Sequence, residues 1–177
     1  DFMNKNFICA WQDIEKENGE AIKKRFDVKS YPTFVFLDKN ETLLYNLSGE
    51  YKPETLIQEA KNALNPKMQL PYLEKQFIED PSNVDKCLAY ILTLGKGKER
   101  KQISAPAHKY LATQSDKDLV SANNWKVIAN AVTDIESREF QYVLKNQQAF
   151  AKVASPIRVE RKINSVVSEL LKPFTEN

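Results

Sequence analysis

Residues 25–38 read Arg25-Phe26-Asp27-Val28-Lys29-Ser30-Tyr31-Pro32-Thr33-Phe34-Val35-Phe36-Leu37-Asp38. Pro32 has no N–H to give to a sheet ladder, so it belongs at the mouth of the apolar run Thr33–Leu37 rather than within it. An X-Pro amide takes the cis form at modest cost, and Tyr31–Pro32 is such a bond at the entrance to a strand. Upstream, Ala21, Ile22 and Phe26 are spaced for one face of a short helix, Gly19–Phe26. Downstream, Asp38-Lys39-Asn40-Glu41 is a polar turn that makes Leu43–Leu47 the antiparallel partner of Thr33–Leu37. Asn40 is the turn residue expected to take positive φ. Gly49 breaks the second strand. Pro53 then suits the first turn of a helix whose apolar stripe is Leu56, Ile57, Ala60, Ala63 and Leu64.

Ahead of all this, Phe7-Ile8-Cys9-Ala10-Trp11 is a continuous apolar run, as expected for a strand over Asn6–Trp11 covered on both faces. The order strand, helix, Tyr31-Pro32-Thr33, hairpin, helix closely resembles the second half of a domain of the thioredoxin superfamily. The resemblance implies an α/β fold, a partial thioredoxin-like βαββα unit over residues 1–65. It also implies a cis Tyr31–Pro32 bond. In that family the cis-proline loop lies against the redox site, and its backbone pairs with an extended substrate chain, a form of strand addition. By position, Tyr31, Pro32 and Thr33 are therefore the substrate-binding residues, and the implied partners are protein thiols or disulfides.

The family's Cys-x-x-Cys does not occur in this sequence. The resemblance places it upstream of Asp1, so no catalytic residue is expected within the chain and none of its activity from this chain alone. The alternative is a redox-inactive thioredoxin-like binding module with a helical interaction domain. Cys9, within the apolar run, and Cys87, between Val84 and Ile91, both read as buried packing thiols with little nucleophilic character. A sheet lacking its first half is expected to leave Phe7–Cys9 and Phe34–Phe36 with uncovered apolar surface, so self-association is expected.

After Asn65-Pro66 and Leu70-Pro71, which bracket a linker, no strand signal survives, and residues 66–177 read as an all-α helical domain. Tyr72, Leu73 and Phe77 mark a first helix. Asp80-Pro81 is expected to cap a second, with Val84, Cys87, Leu88, Ile91 and Leu92 on one side and Gly95 and Gly97 at its end. Ile103, Ala107, Tyr110 and Leu111 mark a third, entered or bent at Pro106. Ser121 caps a helix carrying Trp125, Ile128 and Val132. Ser137 caps one running through Phe140, Val143, Leu144 and Phe150. Ser155-Pro156 opens the last, with Ile163, Val166, Val167, Leu170 and Leu171. Asn123-Asn124-Trp125 followed by Asp134-x-x-Ser137-x-x-Phe140-x-x-Val143 resembles the helical extension of some bacterial envelope thioredoxin-like proteins, which implies a periplasmic or cell-envelope location.

Other features carry less. The formal net charge of +2 is too small to imply nucleic acid as a partner. The basic cluster Lys96, Lys98, Arg100, Lys101 reads as a solvated loop and helix start, because no aromatic stacking partners are interleaved. No apolar run approaches the ~20 residues that span a bilayer. His108 is the sole histidine, too few for a typical zinc site, and reads as a helix-surface residue; no metal or cofactor is expected. Asp13 reads as a turn-former or cap. The pairs Glu15/Glu17 and Glu136/Glu139 lack an apolar setting that would separate their pKa values. The sequons at Asn40 and Asn46 are discounted. The aromatics Trp125, Phe140, Tyr142, Phe150 and Phe174 read as core before groove.

Overall fold

The computed structural model describes residues 1–16, 19–97 and 100–175, and the chain is mostly helical with a two-stranded antiparallel sheet. It forms two compact units: Asp1–Ile78 with Thr93–Glu99, and Glu79–Leu92 with Arg100–Asn177. These units fall differently from a cut at residue 65. Asn65 caps a 3-10 turn at Pro66–Met68, accepting from the Lys67 N–H, and Gln69 Nε2 donates to Ala63 O at 2.9 Å. The segment read as a linker is thus bonded to the helix before it.

In the first unit, α1 spans Phe2–Asn6, α2 Gly19–Phe26, β1 Thr33–Leu37, β2 Leu43–Ser48, α3 Pro53–Leu64 and α4 Leu70–Glu79, whose last residue passes into the second unit. β1 and β2 pair as the turn signal requires, Thr33 opposite Ser48 and Phe36 opposite Tyr45, with an irregularity before Leu37. The turn is held by Asp38, whose Oδ1 accepts from the N–H groups of both Asn40 and Thr42 at 2.8 Å. Glu41 takes the positive φ (60°) expected of Asn40. With the Asp38 carboxylate bonded on either side, the left-handed step falls one residue later. Phe36, Tyr45, Leu47, Ala60 and Ala63 form the core between hairpin and α3, with Phe2, Met3, Phe7 and Leu56 against it. The buried position of Asn46 in β2 closes its sequon to modification.

Two expectations fail at the N-terminus. Residues 2–6 are helical, and 7–11 form no strand. Phe7 packs edge-on to Phe36 with ring centroids 5.4 Å apart. Beyond it Ile8, Cys9 and Trp11 are exposed. An apolar run announces β-propensity but not a neighbour to pair with, and among the described residues β1 has only β2 beside it. Cys9 is accordingly an exposed thiol, not the buried one its setting suggested.

The second unit contains most of α5 (Val84–Leu94), then α6 (Arg100–Leu111), α7 (Asp116–Leu119), α8 (Ala122–Ala131), α9 (Arg138–Lys145), α10 (Gln147–Val153) and α11 (Pro156–Thr175). Ser121 and Ser137 cap as expected, each side chain accepting from the N–H three residues on. Asp80-Pro81 does not cap α5. Asn83 does, its Oδ1 accepting from the N–H groups of Asp85 and Lys86, while Asp80 meets Lys86 Nζ at 3.3 Å. The helix expected from Phe140 through Phe150 is two, broken at Asn146, whose backbone leaves the helical region. The aromatics are core: Phe140 and Phe150 are fully buried, with Trp125 and Tyr142 against Phe150 at 5.7 and 6.3 Å. Phe174's side chain lies outside the described residues. Among the described residues no helix is long and apolar enough to cross a membrane.

Candidate functional site

The loop before β1 is built by local bonds. α2 ends where Asp27 takes positive φ (54°), letting the Val28 N–H reach back to Lys23 O at 2.9 Å and burying the Val28 side chain. Arg25 at the helix end pairs with Glu41 of the hairpin turn at 2.6 Å. The Tyr31–Pro32 bond is cis, as the resemblance implies. Thr33 Oγ1 donates to Ser30 O at 2.7 Å and lies 3.3 Å from Ser48 Oγ. Pro32 O accepts from the Gly49 N–H at 2.8 Å, and Gly49 has φ 102°, a conformation L side chains rarely adopt. The loop is therefore bonded on both sides of Tyr31. Tyr31 itself is 53% exposed, and among the described residues its backbone N–H and C=O enter no hydrogen bond. Tyr31, Pro32 and Thr33 thus share one accessible site at the end of the hairpin.

The two thiols differ in exposure. Cys87 is fully buried, and burial pushes its thiol up to about 12, which leaves it protonated at neutral pH. Cys9 is exposed but single. Asp13 is the turn-former expected, its Oδ1 accepting from the Glu15 N–H at 3.1 Å. Among the described residues no cluster of His, Cys, Asp or Glu is arranged to hold a metal ion.

Three charged residues differ from their sequence reading. Lys96 is not a solvated loop residue: its Nζ is 2.7 Å from Glu59 Oε2 and 2.6 Å from Tyr45 Oη. Lys98 and the side chains of Arg100 and Lys101 lie outside the described residues. His108 is half-buried and meets Glu139, which is itself buried. Each pairing joins residues 30 or more positions apart, and one-dimensional spacing carries no signal for such contacts. A cleft in the second unit is lined by Tyr110, Gln114, Lys117, Asp118, Ser121 and Asn124, among others. The Asn124 amide is already engaged there, accepting from Tyr110 Oη and donating to Asp118 O and Gln114 Oε1.

Set against protein-family models, curated proteins and solved structures, the chain gives no match.

Proposed function

We propose that this chain carries the substrate-facing part of a thioredoxin-like thiol–disulfide oxidoreductase, with Tyr31, Pro32 and Thr33 receiving an extended polypeptide that bears a thiol or disulfide. The observation that carries the reading is Tyr31: exposed, with free backbone N–H and C=O groups, in a loop otherwise bonded on both sides and leading straight into β1. Free backbone groups beside a sheet are what strand addition uses. The order α2, Tyr31-Pro32-Thr33, antiparallel hairpin, α3 also supports it.

The exchange chemistry needs a thiolate at a helix N-terminus that attacks a disulfide sulfur, forming a mixed disulfide, and a second thiol to resolve it. Neither Cys9 nor Cys87 provides such a pair. In this proposal the pair belongs to residues upstream of Asp1, and the protein works in the cell envelope. The same exposed backbone of Tyr31 also suits a second reading, a redox-inactive peptide-binding module.

An NMR titration of the chain with an extended cysteine-containing peptide tests the loop. Shifts are expected at Ser30, Tyr31, Thr33 and Gly49, and a spectrum unchanged there removes both readings. Insulin reduction by the complete gene product separates them. Activity in that product with none in residues 1–177 supports the oxidoreductase. Inactivity in both supports the binding module.

A further inference from the structure

Glu139 is the second residue of α9, and only 5% of it is exposed. A carboxylate so placed is costly unless it is neutralised. Two cations approach it. His108 Nδ1, from the last turn of α6, lies 3.3 Å from Oε2, and Arg138 Nη2 lies 3.5 Å from Oε1. Arg138 also donates to Leu111 O at 2.6 Å and Gln114 O at 3.2 Å, so it binds the end of α6 whatever the state of the carboxylate. Both helix dipoles favour a charged pair: an anion in the first turn of α9 and a cation in the last turn of α6. Of the two cations, only the imidazole changes charge near neutral pH.

We propose that His108 and Glu139 form a protonation-dependent latch that fastens the start of α9 to the end of α6. With the imidazolium present, the buried carboxylate is neutralised from α6 as well as from its own helix. When the imidazole gives its proton to solvent, the carboxylate keeps the Arg138 guanidinium but loses its cation from α6, and the fastening weakens. The charged groups facing the pair are Arg138 on α9, Asp134 in the turn before α9, and Asp116, 3.8 Å from Arg138 Nη1.

The pKa directions agree with the geometry. The bond to Glu139 raises His108 above its ordinary 6.5, and the opposing effect of burial is smaller. Burial pushes Glu139 up, but the bond from His108 and the neighbouring charges outweigh it, and its net direction is down. A raised imidazole contributes stability that is complete below 6.5 and is lost as pH climbs through its folded value. A lowered carboxyl contributes stability that is lost as pH falls through its own folded value. The latch therefore holds in the window between the two.

His108 is the only histidine, so the chain gives one pair of imidazole C–H resonances, from Cε1–H and Cδ2–H. Its titration midpoint is expected above 6.5 and is expected to drop on E139Q substitution. The thermal midpoint of the full chain should also fall from about pH 6 to about pH 8.5, and that fall should flatten in H108Q, which keeps the proposal testable if E139Q does not fold. An imidazole midpoint at or below 6.5, or one unmoved by E139Q, would overturn the latch, as would an equal pH slope in H108Q.

Discussion

Lys96 Nζ lies 2.7 Å from Glu59 Oε2, joining the segment that follows α5 to helix α3. The same nitrogen donates to Tyr45 Oη at 2.6 Å, and Lys96 O accepts from the Ser48 N–H at 2.8 Å. Lys96 therefore closes onto the end of β2 through its backbone as well as its side chain, although it lies far from the hairpin in sequence. Gly97 is part of this closure: a Cβ there would fall 2.1 Å from the Asn46 side chain.

Replacing Lys96 by Met keeps the stem and removes the charge. Glu59, mostly buried, would then hold its charge with hydrogen bonds from Tyr45 and Asn62 alone. The expected loss is about 1–3 kcal/mol, read by urea unfolding, with faster hydrogen exchange at Tyr45–Leu47. E59Q/K96M should lose less than the sum of the single variants. Burial raises the Glu59 carboxyl, yet the bonds from Lys96, Tyr45 and Asn62 bring its net direction down. Its contribution is thus present above the ordinary carboxylate range and is lost as pH falls through the folded value. K96M should reduce that acid sensitivity.

The two thiols should separate cleanly by reactivity. In the native chain an aromatic disulfide reagent is expected to label Cys9 at once and Cys87 only after denaturant is added, because Cys9 is exposed and burial holds Cys87 protonated. Counting released thiolate with and without denaturant checks this. Two equivalents released at once from native protein would contradict the burial of Cys87.

Tyr110→Phe tests the buried polar contact in the second unit. Tyr110 Oη donates to Asn124 Oδ1, and both residues are buried. Phe keeps the ring but leaves that amide oxygen without its donor, so the expected destabilisation is about 1–3 kcal/mol by chemical denaturation. A neutral result would mean that water replaces the hydroxyl through the neighbouring cleft.

The parts of this fold that local rules determine were legible in the chain. Pro32 at a strand mouth, the Asp38–Glu41 turn, Pro53 opening α3, and the caps Ser121 and Ser137 all express bonds within a few residues. The site loop was legible for the same reason, since Thr33 and Ser30 are neighbours. What failed depended on distant partners. Phe7–Trp11 has strand composition, but pairing is a property of the neighbour and not of the run. Lys96, His108 and Glu139 look like surface residues until the fold brings Glu59 and the start of α9 to them. The break at Asn146 was hidden because apolar spacing continues across it to Phe150.

Lys162 provides the last prediction. It lies on α11 and is buried, and its Nζ donates to Ala129 O at 3.2 Å and to Val132 O. Those carbonyls belong to the final turn and C-cap of α8, the end where backbone acceptors lack helical partners and the helix dipole is negative. A lysine from another helix thus caps α8. Lys162→Met retains the aliphatic stem and removes the cap, so the packing of α11 should persist while the end of α8 frays. The expected cost is about 1–2 kcal/mol in urea unfolding, with hydrogen exchange accelerated most at Ala131 and Val132. Unchanged exchange at those amides, with stability lost elsewhere, would show that Lys162 acts through other contacts of α11 and not by capping α8.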